Sequence, residues 1–439
     1  MKENVDIIVK GEYILTMTDA EEPVTNGAVA IKDSRIVEVG REDAIVNKYE
    51  GQRVLGGKGY AVIPGFVNTH THAAMVYFRG LADDLPLKDW LEGHIWPAEQ
   101  KYLGNEFVYD ATELACFEMI RAGITLFNDM YFFEDASAKA IKKAGMRAVL
   151  GTGILDFPTV AASTTSEYFE KAEDFIKRYS EDELIVPAIA PHAPYTCSPE
   201  TYKRAMELAE KYNVTVHTHL SETQWEVEEI TKRYGNTPVK HLDSHGLLDS
   251  RVLAAHCVWP TEEEIDILAQ RGVSISHCLE SNLKLSSGIA PVTKMLQKAV
   301  RVTFGTDGAA SNNDLDIMSE MSTAAKLHKA VSGDPTVLSA REALLMATKW
   351  GAQALGLGDK VGSIEAGKLA DLVLINLKNP HLTPLYDIYS HIVYSAKSSD
   401  VETVIVNGKV VLNGGDAVNL DMEEIFYKAN QWSLKIRKR

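Results

Sequence analysis

The chain has 439 residues, 45% of them hydrophobic and 24% charged, with a net charge of −16, which describes a globular protein of one large domain and a smaller one. The acidic balance, with a basic cluster only at Lys435-Ile436-Arg437-Lys438-Arg439 that reads as a solvated helix end, argues against nucleic acid as a partner and leaves small polar substrates. Cys116, Cys197, Cys257 and Cys278 make no CxxC pair or disulfide framework, Met1 to Val9 lacks a signal-peptide core, and no apolar run reaches a membrane span, so a reduced, cytoplasmic protein without membrane contact is expected.

In chain order, Ile7-Ile8-Val9, Tyr13 to Met17, Ala28 to Ile31 and Ile36 to Val39 read as short antiparallel strands between polar or Gly turns. The run Ala61-Val62-Ile63-Pro64-Gly65-Phe66-Val67 reads as a buried strand and begins an alternation of strands and helices. Seven more strand candidates follow, at Ile124 to Phe127, Ala148 to Leu150, Ile185 to Ala190, Val214 to His217, Val252 to Ala255, Val273 to Ser276 and Val300 to Phe304. Helical patterns separate them, among them Asp110 to Ala122, Pro199 to Tyr212 and Glu262 to Arg271. Eight β-then-α units predict an α/β fold, a (β/α)8 TIM-like barrel over residues 58–365, with its active site at the C-terminal ends of the strands. Asp371 to Ile375 and the run Val404 to Leu412, with Asn407-Gly408 as a type I′ turn, resume the β style of the N-terminus. Residues 1–57 and 366–439 are therefore expected to build one small β-sandwich domain around which the barrel is inserted.

On that barrel the polar residues collect at one rim. His70 and His72, at i and i+2, share a strand face and end the first strand. His192 ends the fourth strand, His217 and His219 the fifth, His256 the sixth, His277 the seventh and Asp307 the eighth. A single His is usually just hydrogen-bonded or exposed; most of the thirteen on one rim is a different matter. Three His and a carboxylate suit a divalent ion such as zinc, with room for a water whose pKa the ion lowers from about 16 towards roughly 7. Glu222, three residues after His219, is the candidate proton carrier if a helix starts there; the plainer reading has Ser221 capping that helix and Glu222 as a first-turn carboxylate. His217 competes with His219 as ligand, and His219, nearer the strand end and Glu222, is preferred. His277 either lines the pocket or supports it from behind, and spacing alone would also allow His256 as a ligand. No Lys ends the fourth strand to bridge two metals, which favours one ion per chain.

These residues carry a resemblance to the amidohydrolase superfamily over nearly the whole chain. Its motifs are Pro64 to His72, His219-Leu220-Ser221-Glu222, Ala255-His256-Cys257, Ser276-His277-Cys278, Gly305 to Asn313, and Gly362 to Val373 at the return into the small domain. Within it the chain looks most like the 5′-methylthioadenosine / S-adenosylhomocysteine deaminases, because Trp90-Leu91-Glu92, Ile95 to Glu99 and Pro191 to Tyr195 match that group's substrate segments. The resemblance implies that His70, His72, His219 and Asp307 hold the metal, that Glu99 binds the ribose hydroxyls and that His192 contacts the nucleoside. It further implies attack of a metal-activated hydroxide on adenine C6. In that scheme Glu222 carries a proton to ring N1, His256 and Asp307 orient the hydroxide, and Asp307 can pass its proton to the leaving ammonia. A homo-oligomer is expected because relatives assemble.

One departure bears on the substrate. Several relatives that accept S-adenosylhomocysteine carry arginines just after the third strand, whereas here Lys171 is the only basic residue between Arg147 and Lys177. Phe157 and Pro158 instead suggest an apolar wall, so 5′-methylthioadenosine is expected to be preferred, giving 5′-methylthioinosine and ammonia, over S-adenosylhomocysteine. The alternatives are a guanine or cytosine deaminase or a triazine chlorohydrolase, and a non-catalytic scaffold, which the presence of all four ligands opposes.

Overall fold

The computed structural model describes residues 1–20 and 22–437, and its strands fall into two eight-stranded sheets. They are β1 (Glu3–Ile14), β2 (Val24–Lys32), β3 (Arg35–Arg41), β4 (Tyr49–Pro64), β5 (Phe66–Thr71), β6 (Ile124–Tyr131), β7 (Arg147–Ile154), β8 (Ile185–Pro191), β9 (Val216–Leu220), β10 (Val252–His256), β11 (Ser274–His277), β12 (Arg301–Phe304), β13 (Leu372–Asn376), β14 (Val401–Val406), β15 (Lys409–Asn413) and β16 (Asp416–Ala417). Strands β5 to β12 lie in sequence order, and every neighbouring pair is parallel. Nearly all their residues are buried, as in a sheet packed on both faces, which is why they read as short apolar runs rather than alternating ones.

The barrel is drawn together where β12 returns beside β5. Asn68 Nδ2 donates to Thr306 Oγ1 (2.7 Å), Thr69 Oγ1 donates to the Phe304 carbonyl (2.8 Å), and the Asp307 N–H donates to the His70 carbonyl (3.0 Å). Gly305 makes this approach possible: a Cβ there would lie 2.4 Å from Ser276 Oγ and 2.8 Å from His70 Cβ. The seam thus brings the ends of the first and eighth barrel strands, and with them His70 and Asp307, to one place.

Helices Pro199–Tyr212 and Glu262–Arg271 follow the sequence pattern to the residue, and the one expected from Asp110 spans Asn105–Arg121. Their starts are written locally. Ser198 accepts the Thr201 N–H with Pro199 following, and Thr261 forms a capping box with Glu264.

The second sheet is drawn from both termini, in the order β16-β15-β14-β13-β4-β1-β2-β3. Ile7, Val9, Val29, Ile31, Leu372 and Leu374 form one apolar cluster on it, and Val5, Ile8, Ala28, Ala30 and Ile45 form another. Asn407 and Gly408 both have positive φ (51° and 74°) between β14 and β15, as a type I′ turn requires. Arg147 of β7 fixes this sheet to the barrel, with Nε 3.0 Å from Asp371 Oδ2 and Nη1 2.6 Å from the Glu183 carbonyl.

Two sequence expectations need correction. The run Ala61 to Val67 is not one strand. Ala61 to Pro64 pairs with Ile375 to Leu372 in the terminal sheet, and the barrel begins at Phe66. Both sheets bury their part of the run, so apolarity alone gives no boundary. Ile7-Ile8-Val9 and Tyr13-Ile14 belong to the single strand β1, whose register shifts between Gly11 and Tyr13, and β1 pairs with β4 in parallel. Helix Met422–Arg437 carries part of the basic C-terminal cluster, while Lys438 and Arg439 lie outside the described residues. No described helix is long and apolar enough to cross a membrane, and all four cysteines are free and buried.

Candidate active site

His70, His72 and His219 come together at the C-terminal rim, with ligand-capable atoms all within 4.8 Å of one another. His72 Nε2 lies 3.3 Å from His219 Nε2. Asp307 completes the group, with Oδ1 3.3 Å from His70 Nε2 and 3.4 Å from His72 Nε2. Each His is held from behind through its other nitrogen. His70 Nδ1 meets His217 Nε2 at 2.7 Å, His72 Nδ1 meets the Met130 carbonyl at 2.6 Å, and His219 Nδ1 meets the His192 carbonyl at 2.8 Å. Such backing fixes ring orientation and leaves the inward Nε2 atoms free.

The electrostatics suit a cation. Burial pushes His70 down to about 4 and holds His72 below its ordinary value and His219 well below, so all three rings are neutral donors at pH 7. Burial works to raise Asp307, but the imidazoles of His70, then His72 and His256, close around it, outweigh burial and keep the carboxyl well below the usual carboxylate range. Ser281 Oγ (2.7 Å) and Ser311 Oγ (2.8 Å) donate to its Oδ2, and the Gly308 N–H (2.8 Å) to its Oδ1. His70 Nε2 is buried with no hydrogen-bond partner. An unpartnered imidazole nitrogen beside two more and an ionised carboxylate is the donor set of a borderline divalent ion.

Beside this group stand Glu222 and His256, with Oε2 and Nε2 3.8 Å apart. Burial raises the Glu222 carboxyl against the pull of His256. On His256 burial acts downward, yet the Glu222 and Asp307 carboxylates together raise it. Two titratable groups perturbed by burial and by each other at a cavity wall are what a proton-transfer site requires. His256 Nδ1 is held by Asn282 Oδ1 at 2.9 Å. Glu222 does not sit in a helix capped by Ser221: Ser221 has φ +52°, and the helix Gln224–Tyr234 is capped by Thr223.

The group opens into a cavity of about 240 Å³ lined by His72, Glu99, His192, His219, Glu222, His256 and Asp307. Glu99 is half-buried, desolvation pushes it up to about 7, and Tyr131 Oη donates to its Oε1 at 2.6 Å. His192 is pushed down by burial to about 3, and its Nδ1 lies 2.9 Å from Thr196 Oγ1. Trp96, Phe157, Tyr195 and Leu285 line both this cavity and an outer one of about 940 Å³.

The two undecided histidines lie elsewhere. His217 is beneath His70, with Asn128 Nδ2 donating to its Nδ1 at 3.0 Å. His277 faces away from the cavity, its Nε2 3.0 Å from His328 Nε2. Sequence reasoning missed Tyr131, Ser281, Asn282 and Ser311. Ser311 falls inside the Gly305 to Asn313 motif, but no local pattern announces that its hydroxyl reaches Asp307.

The Amidohydrolase family model matches residues 61–411. A 5-methylthioadenosine/S-adenosylhomocysteine deaminase of Thermodesulfovibrio yellowstonii is 55% identical over 432 residues, 98% of each chain. A 5′-deoxyadenosine deaminase of Methanosarcina barkeri is 46% identical over 97% of each. The solved structure of an adenosine deaminase from Xanthomonas campestris with bound zinc superposes with a TM-score of 0.98 at 41% identity, covering 100% of both chains. A family match over most of the length, on a barrel whose rim gathers three histidines and an aspartate, shows that the chain belongs to the amidohydrolase family.

Proposed function

We propose that this protein is a zinc-dependent deaminase of 5′-modified adenosines, converting the adenine 6-amino group to the 6-oxo group with water as the other substrate and ammonia as the product. The observation that carries the reading is the convergence of His70, His72, His219 and Asp307 beside the Glu222–His256 pair, at the wall of one cavity. The deaminase names of full-length relatives supply the substrate class.

A divalent ion on these donors supplies a water acidic enough to react near neutrality. Glu222 takes the proton of the attacking water and delivers it to ring N1 as the new C6–O bond forms. His256 and Asp307 orient the water, and a proton returned to the amino nitrogen lets the C6–N bond break with loss of ammonia. Glu99, aimed by Tyr131, accepts from the ribose hydroxyls, and neutral His192 contacts the nucleoside.

The ribose 5′ end then points past Trp96, Phe157 and Tyr195 into the outer cavity. Of the basic residues lining that cavity, Lys88, Arg233 and Lys284, the last two are engaged. Arg233 donates to Glu229 Oε1 at 2.9 Å and to the Tyr195 carbonyl at 3.2 Å, and Lys284 donates to Asn313 Oδ1 at 2.6 Å. Lys171, outside the lining of either cavity, donates to the Ala161 carbonyl and pairs with Glu167. Lys88 stands 5.4 Å from the Trp225 ring centroid as an exposed cation. Among the described residues lining that cavity no guanidinium is free for bidentate contact with an amino-acid carboxylate, which favours an uncharged 5′ group such as methylthio.

The test is loss of adenine absorbance with zinc-loaded protein on 5′-methylthioadenosine, 5′-deoxyadenosine, S-adenosylhomocysteine and adenosine. Rapid turnover of the first two is expected, with a lower kcat/KM on S-adenosylhomocysteine. No turnover of any adenosine would refute the reading and direct the search to free bases and triazines.

A further inference from the structure

Glu226 takes part in none of these steps, yet its carboxylate is buried directly behind Glu222. Oε1 accepts the Ser221 N–H at 2.9 Å and Oε2 accepts the Glu222 N–H at 2.8 Å. Ser221 has a left-handed backbone, φ +52°, a conformation that persists only where the surroundings impose it. Its own side chain does not impose it, because Ser221 Oγ is buried without a hydrogen-bond partner. The turn is held through its backbone on two sides. On one side the Ser221 carbonyl accepts from Val258 N–H (3.0 Å) and Trp259 N–H (3.1 Å), and the Leu220 carbonyl accepts from Cys257 N–H (3.0 Å). This fastens the turn after β9 to the turn after β10, where His256 and Cys257 are also left-handed, with φ of 73° and 47°. On the other side stands Glu226.

We infer that Glu226 is a positioning residue for deamination: its two oxygens fix the Ser221–Glu222 backbone so that the Glu222 carboxyl stays beside His256. The inference rests on the reading of Glu222 as proton carrier. Two successive N–H groups need two acceptors side by side, and a carboxylate provides them. Glutamine keeps the shape but turns an NH2 towards one of the two N–H groups. The plainer alternative is that Glu226 only starts the helix Gln224–Tyr234. Thr223 is the residue that caps that helix, accepting the Glu226 N–H at 3.1 Å, so Thr223→Ala weakens the helix start while both Glu226 acceptors remain.

The experiment is a kinetic double-mutant cycle on the zinc-loaded protein with 5′-methylthioadenosine, using E226Q, E222Q and the double variant, with T223A as control. Metal content and thermal midpoint are measured for each. E226Q is expected to lower kcat by about 10- to 100-fold with KM and zinc content little changed, whereas T223A lowers the midpoint and leaves kcat within about twofold. On the E222Q background, E226Q is expected to cost less than about twofold, because residues acting as one unit are not additive. If E226Q does not yield zinc-loaded protein, E226D enters the same cycle. Independent, multiplicative losses, or a kcat for the Glu226 variant no lower than that of T223A, would overturn the inference. Full activity in E222Q would instead remove the role of Glu222 itself, a separate failure that the single variant reports alone.

Discussion

The sharpest handle on substrate choice is Phe157→Arg. Phe157 is 37% exposed on the wall between the two cavities, its ring centroid 6.0 Å from that of Trp96. Substitution costs every substrate the aromatic contact, about 0.5 to 1.5 kcal/mol. A guanidinium there gives the amino-acid carboxylate of S-adenosylhomocysteine a charge-assisted partner, which for a sheltered pair contributes about 1.5 to 3 kcal/mol. Partial exposure of the position draws that gain towards the value of a surface pair, so about 1.5 kcal/mol is the working figure. Because the aromatic loss is common to both substrates, it cancels in their ratio. The kcat/KM of S-adenosylhomocysteine relative to 5′-methylthioadenosine should therefore rise about tenfold. Adenine absorbance on both substrates at low and high salt measures it, and the gain should shrink as salt screens the new charge. A wild-type enzyme that already uses both substrates equally, or a ratio unmoved by the arginine, would refute the reasoning.

Burial raises Glu99 to about 7 from an ordinary 4.5, so its ionised form, the better acceptor for ribose hydroxyls, grows in as pH climbs through about 7; KM for 5′-methylthioadenosine should increase below that pH and lose this dependence in Glu99→Gln. The folded state binds the Glu99 proton more tightly than the unfolded one, so this group costs stability as pH rises from about 4.5 to about 7, and melts at pH 5 and pH 8 should show Glu99→Gln more stabilising at the higher pH. His217→Phe removes the 2.7 Å contact behind His70 and should weaken zinc binding about 10- to 100-fold, read by competition with a chelator; unchanged affinity would show that His70 needs no such backing. Arg147→Met leaves the buried Asp371 without its partner and should cost about 3 to 5 kcal/mol by denaturant unfolding, with kcat of the folded enzyme unchanged.

Much of the site is legible in the sequence because barrel strands place their chemistry at one end, and the alternation of His70-Thr71-His72 and His217-Thr218-His219 is printed in the residues themselves. What sequence could not give is depth. His217 and His219 share a strand face, and two residues of strand, about 7 Å, separate a ring under His70 from one at the cavity wall; nearness to the strand end and to Glu222 is all that favours His219 in the sequence. The helix expected to begin at Ser221 begins at Gln224 instead, because Ser221 adopts a left-handed turn that Glu226 secures from five residues on. Ser281 and Ser311 carry no signal at all: ordinary hydroxyls, they matter because both reach Asp307 Oδ2. The terminal sheet hid its boundary for a related reason, since Ala61 to Pro64 is as buried against Leu372 to Ile375 as Phe66 and Val67 are in the barrel.

The left-handed residues show how a barrel of ordinary strands makes a reactive rim. Ser221, His256 and Asp307 have φ of 52°, 73° and 62°, and they stand at or just beyond the ends of β9, β10 and β12. Had these strands continued extended, successive side chains would alternate between the barrel interior and the surrounding helices, and Glu222, His256 and Asp307 could not all face one point. Each reversal costs about 1 to 3 kcal/mol, and each is secured by backbone hydrogen bonds to a neighbouring strand end: Asp307 to His70, Cys257 to Leu220, and Val258 and Trp259 to Ser221. The strained turns therefore support one another around the rim, β12 on β5 and β10 on β9. A change that relaxes one, such as Ser221→Gly, should be felt first as lost alignment of Glu222 with His256, and so in kcat before stability.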